Sequence, residues 1–164
     1  LHGVGAFAHC MGSLSDINGM IEALSARVLD GGVPFLGICV GMQLLADAGV
    51  EHGTTAGLGW IGGTVRAIAP APAIKIPHMG WNDLRVDARH PVLAGIASGQ
   101  HAYFVHSYAP FVAQDEEIAA TIAVNGADVP VAFRRGNVVG FQFHPEKSGR
   151  VGLSLIERFV HFVP

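Results

Sequence analysis

The stretch FLGICVGMQLL, residues 35–45, places a cysteine between two glycines at the point where an apolar strand turns into a helix. The apolar run over residues 33–38 is typical of a parallel strand that is covered on both faces. Residues 40–48 have the composition of a helix, and apolar residues at helical spacing precede the strand over residues 17–28. This order of helix, strand and helix predicts an α/β fold.

The cysteine lies in Gly37-Ile38-Cys39-Val40-Gly41, which fits the pattern G-x-C-x-G, the thiol form of a nucleophile elbow. Glycines on both sides remove Cβ atoms that would clash in so tight a turn. The helix start presents backbone N–H groups that favour the nucleophilic thiolate, and the N–H of Val40 points to where an oxyanion would form. A buried cysteine is also a common small core residue. The strand–turn–helix context favours the nucleophile.

A second segment, GFQFHPEKS at residues 140–148, supplies a base and a group to orient it. His144 follows an alternating strand, and Glu146 lies two residues later, on the same side of an extended chain. Pro145 restrains the backbone between them. The pattern predicts a carboxylate that holds the imidazole, as in a catalytic triad. A surface histidine beside a solvated glutamate would give the same sequence.

The opening residues LHGVGAF place Gly3 and Gly5 around Val4. Paired glycines let the backbone approach a ligand closely, and their N–H groups can form an anion-binding concavity. The segment therefore predicts a second oxyanion donor. A flexible loop near a terminus explains the glycines equally well.

The composition narrows the class of protein. Only 14% of the 164 residues are charged, against about 25% in a typical domain, and the net charge of −3 includes no basic block, so nucleic-acid binding has no electrostatic support. The longest apolar stretch is too short for the roughly 20 residues of a membrane span. The 2 cysteines form no disulfide framework, which indicates the cytoplasm. No histidine pair has a metal-ligand spacing, so we expect neither metal nor cofactor.

The rest of the chain contains short strand candidates separated by turn residues, and then a final helix over residues 149–162. We expect a single domain over residues 1–164. Its predicted architecture is a mixed, largely parallel open sheet flanked by helices.

Together these segments resemble class I (triad-type) glutamine amidotransferases, whose fold is flavodoxin-like. Two further segments, KIPHMGWN at residues 75–82 and YFVHSY at residues 103–108, resemble the glutaminase subunit family of imidazole glycerol phosphate synthase. The resemblance covers nearly the whole chain. It implies hydrolysis of L-glutamine to glutamate and ammonia, which a (β/α)8-barrel cyclase partner in a heterodimer uses in histidine biosynthesis.

The resemblance also implies roles for individual residues. Cys39 is the nucleophile, His144 the general base and acid, and Glu146 the orienting carboxylate. The oxyanion donors are the backbone N–H groups of Val40 and Val4. The remaining implied residues bind the substrate (Gly3, Gly5, Gln43, His106, Ser107 and Tyr108) or border the partner (Trp81, Asn82, Tyr103 and Lys147). Trp81 could also be a core aromatic and Lys147 a solvated charge.

Two features depart from the family pattern. His2 stands where the family usually has proline, which predicts a more mobile oxyanion loop. The opening strand–helix–strand unit of the family is absent, which suggests an N-terminally truncated chain that is poorly soluble or weakly active alone. Other functions stay open: another class I glutaminase subunit, a non-catalytic docking subunit of the same fold, or a thiol protease.

Overall fold

The computed structural model describes residues 1–70, 75–87, 91–112, 114–124 and 126–164. The first half contains β1 (His2–Gly3), α1 (Phe7–Ser15), α2 (Met20–Ser25), β2 (Phe35–Cys39), α3 (Val40–Gln43), β3 (Ala48–Gly49), β4 (Thr55–Ala56), β5 (Gly63–Ala67) and β6 (His78–Asp83). The second half contains β7 (Arg85–Val86), β8 (His101–His106), β9 (Tyr108–Val112), β10 (Ile118–Val124), β11 (Ala127–Arg135), β12 (Val138–Phe141) and α4 (Gly149–Val160). A π-helical turn, Ala26–Asp30, continues α2.

The main sheet has six strands in the order β1-β2-β12-β11-β10-β7. The β1–β2 and β2–β12 pairs are parallel, whereas the β12–β11, β11–β10 and β10–β7 pairs are antiparallel. The mixed α/β class is confirmed. Among the described strands of this sheet, antiparallel pairs outnumber the parallel ones. The parallel pairs involve only β1, β2 and β12, and Cys39 is the last residue of β2.

Two smaller sheets complete the described strands. One has the order β4-β3-β5-β9, and the other is the antiparallel ribbon of β6 and β8. The ribbon pairs His78 with His106 and Trp81 with Tyr103. Since β6 and β8 alternate between a buried and an exposed face, the ribbon turns His78 and His106 inward and Trp81 outward.

The helix predicted over residues 40–48 ends early, because α3 stops at Gln43. The carbonyl groups of the following four residues accept hydrogen bonds from the segment at residues 57–61, for example Leu44 O from Leu58 N at 2.8 Å and Leu45 O from Trp60 N at 2.9 Å. Hydrogen bonds from this segment therefore replace the hydrogen bonds that a longer helix would form. The chain then extends into β3, which pairs with β4 and β5.

Two other helices test the sequence pattern at the chain ends. The final helix, predicted over residues 149–162, is confirmed as α4. The helix Phe7–Ser15 was not predicted; the hydroxyl of Ser15, its last residue, donates to Met11 O at 2.9 Å. In the part of the chain that is described, no helix has the length and apolar character needed to cross a bilayer.

Candidate active site

Cys39 occupies a strained corner between β2 and α3. Its backbone has φ 55° and ψ −116°, a conformation that residues with a side chain rarely adopt. A Cβ on Gly37 would lie 2.6 Å from the carbonyl oxygen of Gly41, and one on Gly41 would overlap the carbonyl oxygen of Leu1. Only glycines fit on either side of the cysteine. The strand–turn–helix elbow predicted from the sequence is confirmed.

The environment of the Cys39 sulfur favours the thiol. The residue is only 5% exposed. This burial raises the pKa of Cys39 above its ordinary value; the backbone N–H of Val40 opposes the shift, and the charges of Glu146 and Cys10 add to it. Since α3 has only four residues, its positive end does not overcome the burial. A base must therefore take the proton before the sulfur can attack.

His144 has the geometry of such a base. Its Nδ1 atom lies 2.7 Å from Oε1 of Glu146. A carboxylate only accepts, so Nδ1 carries the proton and Nε2 of the neutral ring has a free lone pair. Nε2 is buried and has no hydrogen-bond partner among the described residues.

The same hydrogen bond acts on Glu146. Burial opposes its ionisation, but the hydrogen bond from His144 and the charges of His144 and His2 hold the pKa of Glu146 below its ordinary value. The carboxylate is therefore ionised at neutral pH, the state in which it orients the imidazole.

The sheet brings Cys39 and His144 to the same edge. β2 and β12 are parallel neighbours, with Ile38 opposite Phe141. The residues that follow this pair are Cys39 and Gln142. The Nε2 atom of Gln142 lies 3.8 Å from the Cys39 sulfur. His144 follows two residues later, after a bend at Gln142 and Phe143. The end of β2 and the segment after β12 thus place Cys39 and His144 at the same end of neighbouring strands.

A cavity of about 300 Å³ opens beside the Cys39 sulfur. Eight residues selected from the sequence line it: Val4, Gly5, Cys39, Val40, Gln43, His106, Ser107 and Tyr108. Gly3 does not line it; it lies in β1 and borders a separate, largely apolar cavity with His2 and Cys10. The volume lies at the lower end of the range for small-molecule sites.

A chain of hydrogen bonds continues inward from this cavity. His106 Nδ1 lies 2.9 Å from Tyr108 O, and His106 Nε2 lies 3.0 Å from His78 Nδ1. Because a carbonyl only accepts, His106 donates from Nδ1 and accepts at Nε2, so His78 donates from Nδ1. Asn82 Nδ2 then faces the remaining acceptor, His78 Nε2, at 3.4 Å. This pattern of donors and acceptors is that of two neutral rings at His106 and His78.

The pKa values agree with this pattern. Burial lowers the pKa of His106 to about 4; the hydrogen bond to Tyr108 opposes the shift, and the neighbouring His78 and His144 add to it. Burial also lowers the pKa of His78. Both nitrogens of His106 are engaged, so its ring shapes the cavity wall and leaves polar contacts with a ligand to other groups.

Sequence reasoning missed two polar residues of the site. Glu51 lines the cavity and accepts a hydrogen bond from Phe7 N at 2.8 Å, the first backbone group of α1. It lies in a loop with no periodicity, so no sequence signal pointed to it. Gln142, in contrast, stands two residues before His144 in a segment already singled out, so a buried polar residue beside the predicted base could have been found there.

The four residues expected at a partner surface surround one end of the β6–β8 ribbon. Trp81 is 56% exposed and packs edge-to-face against Tyr103 at 5.9 Å, whereas Asn82 is half-buried and Lys147 is exposed. Tyr103 O accepts from His144 N at 2.9 Å. The exposed Trp81 thus packs on a half-buried tyrosine whose carbonyl binds the backbone of His144.

His2, His144 and Glu146 offer three ligand atoms within 4.8 Å of one another, a spacing that could hold a metal ion. His2 Nε2 lies 3.6 Å from Glu146 Oε1. A metal bound by His144 Nδ1 would displace the hydrogen bond to Glu146, so the two arrangements exclude each other. The sequence pattern predicts no metal.

The chain is similar to proteins of known family. The model of the family "Glutamine amidotransferase class-I" matches residues 3–162. The imidazole glycerol phosphate synthase subunit HisH of Rhodospirillum rubrum is 55% identical, and that of Cereibacter sphaeroides is 52% identical; each match covers 100% of this chain and 77% of the relative.

Solved structures agree in fold. A glutamine amidotransferase crystal structure superposes with a TM-score of 0.66 at 24% identity, over 97% of this chain and 77% of that one. A glutamine amidotransferase from Thermotoga maritima superposes with a TM-score of 0.60 at 20% identity, over 98% of this chain and 60% of that one. The resemblance drawn from the sequence motifs is confirmed. The chain therefore belongs to the class I glutamine amidotransferase family, among the HisH subunits of imidazole glycerol phosphate synthase.

Proposed function

We propose that this chain hydrolyses the side-chain amide of L-glutamine through Cys39, His144 and Glu146, and passes the ammonia to a (β/α)8-barrel cyclase. The observation that carries the assignment of roles is the tautomer of His144: Glu146 holds the proton on Nδ1, which leaves a buried, unpartnered Nε2 at the edge that Cys39 shares. The relatives named HisH supply the pathway, in which the cyclase performs the lyase step.

The first half of the reaction forms a thioester. His144 Nε2 takes the thiol proton, and the Cys39 sulfur attacks the amide carbon of glutamine, whose π electrons move onto oxygen. The oxyanion is stabilised by the N–H of Val40 and by that of Val4 in the glycine loop. When the C–N bond breaks, Nε2 returns its proton to the nitrogen, and ammonia leaves.

The second half releases glutamate. His144 Nε2 now takes a proton from water, and the hydroxide oxygen attacks the thioester carbon. The C–S bond breaks, and the proton returns from Nε2 to the sulfur. Throughout, Glu146 accepts from Nδ1 and stabilises the imidazolium formed in each half.

Residues on the far wall of the cavity bind the amino-acid end of glutamine. Glu51 supplies the carboxylate among the lining residues, and its second oxygen accepts from the substrate ammonium. Gln43 and the backbone of Ser107 and Tyr108 complete this end of the site. Gly5, with φ 137°, lets the oxyanion loop approach the substrate.

The cyclase docks on the exposed face of the β6–β8 ribbon, on Trp81, Asn82, Tyr103 and Lys147. Met79 and Trp81 are 61% and 56% exposed, an apolar pair of the kind that partner proteins cover. In solution at neutral pH ammonia becomes ammonium, which is no nucleophile, so docking beside the triad lets it travel enclosed. A reducing cytoplasm suits an enzyme whose Cys39 and Cys10 are both unpaired.

Labelling with the glutamine-like electrophile 6-diazo-5-oxo-norleucine tests this proposal. We expect a mass adduct on Cys39, no adduct at that position in Cys39→Ala, and hydrolysis of glutamine that rises when a purified cyclase and its ligand are added. In Cys39→Ala the turnover number should fall by at least about 10⁴-fold.

The same experiment separates the alternatives. If Cys39 stays unlabelled even with the cyclase present, the chain is a non-catalytic docking subunit. If it is labelled but a cyclase changes neither labelling nor hydrolysis, a different synthase is the partner.

A further inference from the structure

The region behind the Cys39 sulfur contains a buried pair of amides. Gln142 is 0% exposed, follows β12 and does not line the cavity. Its Oε1 accepts from Gln43 Nε2 at 2.9 Å, and its own Nε2 lies 3.8 Å from the Cys39 sulfur. A buried amide that contacts the reacting atom but not the substrate cavity has no part in the mechanism described above.

The direction of these hydrogen bonds follows from one backbone carbonyl. Gln43 Nε2 lies 3.2 Å from Tyr108 O, which also receives the hydrogen bond from His106. A carbonyl accepts only, so the NH₂ group of Gln43 must face it. That NH₂ group also faces Gln142, which must present its oxygen there. The NH₂ group of Gln142 is thereby turned toward the sulfur.

We propose that Gln142 is a further catalytic residue, whose side-chain N–H donates to the Cys39 sulfur and stabilises the thiolate when the thiol proton passes to His144. Gln43 is a positioning residue for this donor, in addition to its place in the cavity wall. The proposal rests on Cys39 being the nucleophile of the proposed function.

The surroundings of the Cys39 sulfur disfavour a thiolate, so a hydrogen-bond donor there would favour its formation. Cys39 is buried, and the nearby carboxylate of Glu146 disfavours a negative sulfur. The N–H of Val40 donates to the sulfur, but in the transition state it is needed at the oxyanion. Gln142 does not line the cavity and is not needed at the oxyanion, so its N–H can donate to the sulfur whenever the sulfur carries negative charge. Hydrogen bonds to charged groups are the stronger ones, which fits a site where charge develops.

The test measures how fast iodoacetamide alkylates Cys39 as a function of pH, with peptide mass mapping to separate Cys39 from Cys10. It needs no glutamine, so it reports on the donor even if the chain hydrolyses nothing. In Gln142→Met, which keeps the length of the side chain but has no donor, we expect the midpoint of the alkylation profile to rise by about one pH unit and the rate at neutral pH to fall about tenfold. The exposed Gln114→Met is the matched control and should behave as wild type.

Steady-state kinetics give a second readout. Because Gln142 lies outside the cavity lining, Gln142→Met should lower kcat about tenfold and leave KM unchanged. Should that variant fail to fold, Gln43→Met removes the group that orients Gln142, and it should raise the alkylation midpoint in the same direction by a smaller amount. A folded Gln142→Met with the wild-type midpoint would show that Gln142 only fills space, and would overturn the proposal.

Discussion

The Cys39 corner and the glycine loop differ in how tightly the backbone is packed. At the corner, a Cβ on Gly37 would lie within 2.9 Å of three backbone atoms of α3. At the loop, a Cβ on Gly3 would meet nothing within 4 Å, and Val4 is 70% exposed. The sulfur is therefore fixed before substrate arrives, whereas the glycine loop has room to change conformation. The Cys39 corner is therefore rigid, and the glycine loop can move.

The largest difference between the corner and the loop should appear when a methyl group is added to each. Gly37→Ala should lower the free energy of unfolding by about 3 kcal/mol or more, because the new Cβ meets the Gly41 carbonyl and Met42 Cα, neither of which can turn aside. Gly3→Ala should change it by less than about 0.5 kcal/mol. Urea unfolding followed by circular dichroism measures both.

Equal losses in the two variants would show that the loop is packed as tightly as the corner. Glutaminase assays on folded Gly3→Ala sharpen the contrast. If the loop must move during the reaction, this variant should have a lower turnover number but an unchanged free energy of unfolding.

The tightly packed corner around Cys39 is also the part of the site that the sequence predicted best. The Cys39 corner and the His144–Glu146 pair each depend on residues within five positions of one another, and local sequence contains that information. The hydrogen bonds behind them do not: Gln43 is 65 residues from Tyr108 and 99 from Gln142. They follow from strand register, which no single segment determines. Glu51 and the early end of α3 were missed for the same reason, since both depend on contacts between distant segments.

The second largest effect is expected from acid, which should lower the free energy of unfolding through the buried His106 and His78. At pH values below 6.5 the unfolded chain protonates His106, but the folded chain does so only near pH 4. The unfolded state thus binds the extra proton, and stability falls as the pH drops through this window. Between about pH 7.5 and about pH 5 we expect a loss of about 2 kcal/mol from His106, with His78 acting in the same direction.

Urea unfolding of His106→Gln at the two pH values checks this. Glutamine has no ionisable group, so the variant should lose about 2 kcal/mol less than wild type on acidification, whatever its stability at neutral pH. The exposed His9→Gln is the control and should keep the wild-type slope. An unchanged slope in His106→Gln would mean that the His106–His78 pair already admits a proton in the folded state.

The smallest effect concerns the strain at Cys39 itself. A residue with a side chain at φ 55° costs about 1–3 kcal/mol, and glycine relieves this, less about 0.5–1 kcal/mol for its greater freedom when unfolded. Cys39→Gly should therefore be more stable than Cys39→Ala by about 1 kcal/mol, and by the proposed mechanism neither should hydrolyse glutamine. At Val4, whose φ is not positive, the order should reverse, with Val4→Ala the more stable. Thermal unfolding of the four variants measures both differences. The same order at both positions would mean that the corner stores no strain, and that packing alone fixes the sulfur.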